Sequence, residues 1–299
     1  MLLLILALLV IYSVIDFVYR RTNRYKNKFE DVKVIRSYKN TSLDIINIGS
    51  TQARYAYDYS NVSGLNLGSN EQSVKYSFLL LKKYLPYLKK GGQVIISVSD
   101  MDLIIDSDMQ ERKYKYFGIL PIGIRNVIKE ILFPLLFKPK DIKYIFKDEK
   151  IYNKFDLDEN ILSDDSAKAE DCKRRLNRWS KYGADSFDKN KGFSISNKNA
   201  DRNIELVKDI IKLCINEGYG VTIVTPPVSP YFREYFGAAF EDILNKPLKE
   251  LAEIENVIYY DFTEEESFKD ESLFLNTACM NKKGRRKFTD IIVQKFEMR

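Results

Sequence analysis

Five short apolar runs divide this chain, and most of the gaps between them are long enough for a helix. They are "LDIINIG" (43–49), "GLNLG" (64–68), "QVIISVS" (93–99), "VTIVTPP" (221–227) and "NVIYYDF" (256–262). Runs of this length, rich in Ile and Val, read as buried strands. The intervening stretches carry helical spacing. Residues 70–89 predict an amphipathic helix with Asn70 as its cap and Pro86 bending or ending it. Residues 201–217 place Ile204, Val207, Ile210, Ile211, Cys214 and Ile215 on one face. Further helices are expected over 231–254 and over 281–297, the last with Ile291, Ile292 and Phe296 on one side. Strands alternating with helices predict an α/β fold with a mostly parallel central sheet covered on both sides. Ligand sites in such sheets lie at the carboxyl ends of the strands.

A second feature precedes this domain. "MLLLILALLVIYSVIDFVY" (1–19) is apolar except for Asp16, and a bilayer-spanning helix needs about 20 such residues. A cleaved signal peptide requires a small-residue cleavage site, and none follows. An uncleaved membrane anchor over 1–19 is the expectation, with Tyr12 and Tyr19 suited to an interface. The net charge of +6 is local to the next segment. Residues 20–40 hold Arg20, Arg21, Arg24, Lys26, Lys28, Lys33, Arg36 and Lys39 against Glu30 and Asp31, which accounts for the whole excess. A basic stripe beside an apolar segment suits anionic headgroups and not nucleic acid. By the positive-inside rule this flank belongs in the cytoplasm.

The third domain runs from 41 to 299 and is interrupted by an insertion at about 101–200. "FGILPIGIRNVIKEILFPLLF" (117–137) is apolar but carries Arg125, Lys129 and Glu130 mid-segment, which argues against a second span. It is expected to pack over the site or to rest on the membrane surface. The chain contains no histidine, and its three cysteines (Cys172, Cys214, Cys279) are widely spaced. No metal-ligand spacing is present and no cofactor is expected.

Three stretches carry the chemistry. "NIGSTQARYAYD" places two hydroxyl residues just after a strand that ends at Gly49. "LNLGSNEQS" ends a strand at Gly68 and offers the amides of Asn70 and Gln72. "LFLNTACMNKKGRRKFT" leads into the last helix. In this order they resemble the SGNH/GDSL hydrolase superfamily, and within it the membrane-anchored branches that act in teichoic-acid D-alanylation and alginate O-acetylation. The resemblance covers about 41–100 and 201–299. It implies a three-layer, flavodoxin-like sandwich and an extracytoplasmic domain, against the orientation that the basic flank predicts. It places the nucleophile at Thr51, with Ser50 one residue early. Gly68 lies where the family places an oxyanion-hole glycine. Asn276 and Cys279 occupy the Asp and His of a D-x-x-H motif, and Asn281 and Gly284 are retained. No G-x-N-D block follows 93–99, although Asp100 ends that strand.

These replacements change the chemistry. A serine hydroxyl needs a base with a pKa near the working pH, which histidine supplies. A thiol of pKa ~8.5 is mostly protonated at neutral pH. Asparagine cannot stabilise a developing cation as a carboxylate does. Loss of one triad member costs on the order of 10⁴-fold in rate. Three readings stay open: a non-catalytic relative that binds a cell-surface glycan or a polysaccharide-modification partner; an esterase or O-acyltransferase using Thr51 or Cys279; and a membrane-anchored scaffold. A binding surface is expected from Arg54, Tyr55 and Tyr57, with Tyr231, Phe232 and Arg233, because aromatic and Arg groups suit sugar rings and acidic glycans. Trp179, with Arg174, Arg175 and Arg178, is expected to cover the groove.

Overall fold

A computed structural model describes residues 1–26, 30–39, 42–99, 101–105, 113–121, 123, 128–146, 154–162, 164–181, 186–188, 192–194, 198–240 and 245–298. The chain opens with α1 (Leu2–Arg21), α2 (Asn23–Lys26) and α3 (Glu30–Ser37). Next come β1 (Leu43–Ile48), α4 (Thr51–Arg54), β2 (Gly64–Asn66), α5 (Val74–Tyr84) and β3 (Leu88–Ser97). The middle holds α6 (Pro134–Phe137), α7 (Lys143–Phe146), α8 (Asp165–Lys181) and a short antiparallel hairpin, β4 (Ser186–Asp188) with β5 (Gly192–Ser194). The chain then runs through α9 (Lys198–Asn216), β6 (Gly220–Thr225), α10 (Pro230–Phe240), α11 (Lys246–Leu251), β7 (Val257–Asp261) and α12 (Lys282–Glu297).

Two compact units result. One combines Met1–Tyr38 with Gln110–Asn153, and the other combines Lys39–Met109 with Lys154–Arg299. The first contains α1, which is long and apolar enough to cross a bilayer.

The second unit is an α/β domain built on an all-parallel sheet of order β2-β1-β3-β6-β7. Parallel pairing puts in-register residues on the same face. Ile46 pairs with Val94 and Ile48 with Ile96; the second pair lines a cavity closed by Val74 and Ser77 of α5 and Val207 and Ile210 of α9. Ile45, Ile95 and Val224 lie on the opposite face, packed with Tyr57, Phe262, and Phe288 and Ile292 of α12. Helices thus cover both faces, which removes the apolar surface of every central strand from water.

Two local readings change. The first helix after β2 starts at Val74 with Ser73 at the N-cap, and not at Asn70. Asn70 and Glu71 form a turn in which Glu71 adopts a positive φ of 54°, a conformation no helix accepts. In α12 the buried face is Arg285, Phe288, Thr289 and Ile292, so Ile291 and Phe296 lie at the edge of the buried stripe.

Candidate functional site

The turn after β1 is fixed by close approach. Gly49 has φ +143°, and a Cβ there would lie 2.5 Å from the Ser97 carbonyl oxygen and 2.6 Å from Ala53 Cβ. Only glycine fits. Ser50 follows at the N-cap of α4, without a side-chain cap bond. Its buried hydroxyl lies 3.4 Å from Ser99 Oγ. Ser99 in turn donates its hydroxyl and its N–H to Asp102 Oδ2, both at 2.7 Å. Thr51 Oγ1 accepts the Glu71 N–H at 3.1 Å. The Thr51 hydroxyl therefore fastens the β2–α5 turn.

The amide residues near β2 serve the backbone in the same way. Gln72 is buried, and its Nε2 lies within 3.0 Å of the Gly49 and Leu67 carbonyls and of Ser77 Oγ. Asn66 Nδ2 donates towards the Ala53 and Arg54 carbonyls at 3.2 Å, while its Oδ1 accepts from Gly68 N and Asn47 Nδ2 at 2.8 Å. A Cβ on Gly68 would meet the Arg54 backbone nitrogen at 2.6 Å. Sequence reading missed Asn66, although an Asn inside a strand run is itself a signal of a side chain recruited to hold backbone.

The C-terminal loop is held by its own side chains. Asn276 Oδ1 accepts the N–H groups of Ala278 (3.0 Å) and Cys279 (2.9 Å). The Asn276 carboxamide thus stabilises its own turn. Thr277 Oγ1 donates to Asp171 Oδ2 of α8 at 2.5 Å. Asn281 caps α12 by accepting the Gly284 N–H at 3.0 Å, and its Nδ2 donates to the Asp158 and Ser272 carbonyls. Gly284 permits this turn, since a Cβ would lie 2.2 Å from the Leu273 carbonyl oxygen.

The two ends of the sequence motif meet. Cys279 is buried in one cluster with Tyr55 and Leu275, packed by Phe155 and Leu157. Asp58 N donates to Thr289 Oγ1 at 2.9 Å, and Arg286 Nε reaches Asp58 Oδ2 at 3.4 Å. Thr51 and Cys279 themselves are held in different surroundings, one by the β2–α5 turn and the other by this cluster.

At this junction stand two arginines. Arg54 is nine-tenths buried and lies over the rings of Tyr55 (5.4 Å) and Phe155 (5.3 Å). Among the described residues its guanidinium has no carboxylate or hydrogen-bond partner. Arg285 is 1% exposed, with Cζ 3.6 Å from the Phe155 centroid. Its Nε and Nη1 meet no hydrogen-bond partner among the described residues. Burial draws the Arg285 pKa down to about 10; Asp58, Tyr55 and Asp156 oppose the shift, and Arg54 adds to it. Phe155 is fastened there because its segment is sewn to the C-terminal loop: Lys282 N donates to Leu157 O at 3.0 Å and Ile161 N to Leu275 O at 2.8 Å.

The other expected surface residues divide. Tyr57 and Phe232 are fully buried; Tyr57 OH shares a 2.8 Å hydrogen bond with Ser97 Oγ. Arg233 donates to the Thr263 carbonyl at 3.1 Å, and Arg174 pairs with Asp171 at 2.8 Å. Asp100 and the Trp179 side chain lie outside the described residues. Among the described residues, no group of three His, Cys, Asp or Glu side chains is placed to hold a metal ion.

The site as a whole holds two cationic groups against aromatic rings, with its amide groups bonded chiefly to backbone and its hydroxyls to backbone or to neighbouring side chains. No family model matches the chain, and no curated protein matches it.

Proposed function

We propose that this chain is a membrane-anchored SGNH-hydrolase-like protein whose α/β unit binds an anionic cell-surface glycan instead of cleaving an ester. The carrying observation is the buried Arg285 guanidinium, whose Nε and Nη1 meet no partner among the described residues. An ionised group in such a position is expensive unless a partner arrives. A carboxylate or phosphate is the natural partner, because the guanidinium fork meets two oxygens at once. Arg54, on the same Phe155 ring, doubles the positive charge at the site. Tyr55 adds an aromatic ring of the kind that packs on sugars.

Two features support the family part of the reading, and a third bears on its chemistry. The strand order follows the doubly wound pattern, with the β1 turn at the carboxyl end of the sheet. Tyr55 and Cys279 bring that turn against the loop before the last helix. The chain has no histidine to act as base. Thr51, Asn276 and Cys279 are then structural positions in a site that has lost its proton acceptor. Cell-surface polysaccharide assembly or acyl modification on the extracytoplasmic side is the corresponding setting.

The test uses the full chain in detergent micelles. Uronate oligomers, glycerol-phosphate oligomers and neutral glucose oligomers are presented as immobilised ligands, and acetylated glycans are offered for hydrolysis. The expected result is salt-sensitive retention on one of the acidic ligands, none on the neutral one, and no ester turnover. Turnover abolished by Thr51→Ala or Cys279→Ala would establish the enzyme reading instead. Equal retention on neutral and acidic ligands, or none on any, would remove the anionic ligand.

A further inference from the structure

The unit that contains α1 carries a second apolar element whose position is defined by contacts with that helix. α1 has one polar stripe, formed by Tyr12, Asp16, Tyr19 and Arg20, at the spacing of a single helix face. In hydrocarbon such a stripe must be covered or paired. Asp16 and Arg20 pair with each other at 2.5 Å. Tyr25 accepts from Arg20 Nη1 at 2.8 Å, and residues 128–146 add further cover. Arg20 Nη2 donates to the Ile131 carbonyl at 2.7 Å and the Leu132 carbonyl at 3.0 Å. The Tyr12 ring stands 6.1 Å from Phe133. Tyr19 OH donates to Asp141 Oδ2 at 2.9 Å, and Arg24 lies over the Tyr144 ring at 5.0 Å.

These four contacts trace a path. The long Arg20 side chain leans back along α1, so Ile131–Phe133 lie between the levels of Arg20 and Tyr12, and the segment then returns to Tyr19 at Asp141 and to Arg24 at Tyr144. At 1.5 Å per residue, Tyr12 lies about 13 Å along the helix from Arg21. That is close to half of a hydrocarbon layer about 30 Å thick. At the turning point Leu132, Phe133, Leu136 and Phe137 all expose much of their side chains. No charged residue occupies 131–137, while Lys138, Lys140 and Lys143 follow on the return limb. Part of the backbone pairs within the segment: Phe133 N donates to Ile128 O, Lys138 N to Pro134 O and Asp141 N to Lys138 O. A lipid-facing segment needs this internal pairing.

We propose that Ile128–Phe146 is a re-entrant membrane hairpin. Its tip, Leu132–Phe137, enters the hydrocarbon layer beside α1 and shields the Asp16–Arg20 pair. Lys138, Lys140 and Lys143 remain among the anionic headgroups. The occupant of the exposed apolar surface is therefore lipid, because the surface continues that of α1 and is followed by lysines suited to the headgroup level. This rests on the reading of α1 as a membrane helix and is independent of the glycan reading.

The experiment is depth-resolved fluorescence quenching of the full chain in vesicles of phosphatidylcholine with phosphatidylglycerol, using brominated lipids. In a Trp179→Phe background, single tryptophans are introduced by Leu136→Trp, by Leu9→Trp in α1, and by Leu79→Trp on the exposed side of α5. The expected result is loss of Leu136→Trp emission comparable with that of Leu9→Trp, with Leu79→Trp unquenched. Quenching of Leu9→Trp alone overturns the hairpin while leaving the anchor. Quenching of neither overturns the anchor and the hairpin together. Phe137→Trp repeats the reading if Leu136→Trp disturbs packing.

Discussion

The guanidinium of Arg285 sits 3.6 Å from the ring centroid of Phe155, a residue 130 positions earlier in the chain, and is sealed from water beneath it. The ring offers cation–π attraction, worth about 2 kcal/mol when desolvated. That does not replace the hydrogen bonds that Nε and Nη1 lack among the described residues. On the proposed reading, the anionic ligand would relieve that unfavourable term. Arg285→Met fills similar volume without charge. It is expected to leave stability unchanged or to raise it by about 1–2 kcal/mol in urea unfolding, while abolishing retention on acidic glycans. A large loss of stability would mean that Arg285 is a structural group.

The backbone that frames the site is predicted to be intolerant of a single methyl. Gly49→Ala adds a Cβ 2.5 Å from the Ser97 carbonyl oxygen at a φ of +143°, and Gly68→Ala adds one 2.6 Å from Arg54 N. Each is expected to destabilise by about 3 kcal/mol or more, from steric overlap plus, at Gly49, backbone strain. Gly118→Ala, in open space although at positive φ, serves as the comparison and should lose only about 1 kcal/mol. Chemical unfolding midpoints give the ranking.

Thr51→Val removes the acceptor for the Glu71 N–H and keeps the side-chain volume. The expected effect is about 1 kcal/mol of destabilisation and no change in acetyl-ester turnover, which stays at the buffer rate. Cys279→Ala leaves a small cavity beside Tyr55 and Leu275 and should behave likewise, at about 1–2 kcal/mol. Parallel unfolding and turnover assays on both variants separate a structural from a chemical role.

Alkaline pH should weaken the α/β unit through buried thiols. Burial raises the pKa of Cys214 from 9.0 to about 12 and that of Cys172 to about 11. Between pH 9 and 11 the unfolded thiols have ionised and the folded ones have not, so the native state holds more protons. Stability is then full below pH 9 and falls as pH rises, by about 1.4 kcal/mol per unit for each such group. Buried Tyr57 and half-buried Tyr59, both raised chiefly by burial of the hydroxyl, add to the fall above pH 10. The Arg285 shift has the opposite sign and acts only above about pH 10. Cys214→Ala should flatten the decline between pH 9 and 10 in melting curves. An unchanged slope would contradict this assignment.

The sheet was legible because apolar runs are local: the five runs correspond to β1, β2, β3, β6 and β7 within a few residues. The start of α5 was not, because Asn70 and Ser73 are both good caps and only the positive φ of Glu71 excludes the first. At the site, residue types were visible but their partners were not. Asn276 looked like an altered orienting group, and its oxygen turns out to bond its own loop. Arg285 was hidden in "KKGRRK", which reads as solvated charge. Its place three residues before Phe288 and seven before Ile292 on the buried face is a periodic signal that could have found it. Nothing local could have placed Phe155 over it, or set 128–146 along α1, since both contacts join segments more than 100 residues apart.

The most direct test of the binding account is calorimetric titration of the full chain, in micelles and at low salt, with a uronate oligomer and with a glycerol-phosphate oligomer. The account predicts saturable binding of one of them, weakened about tenfold or more by Arg54→Gln and lost in Arg285→Met while that variant stays folded. Undiminished binding in both variants, or no binding of either ligand by the unaltered chain, would contradict it.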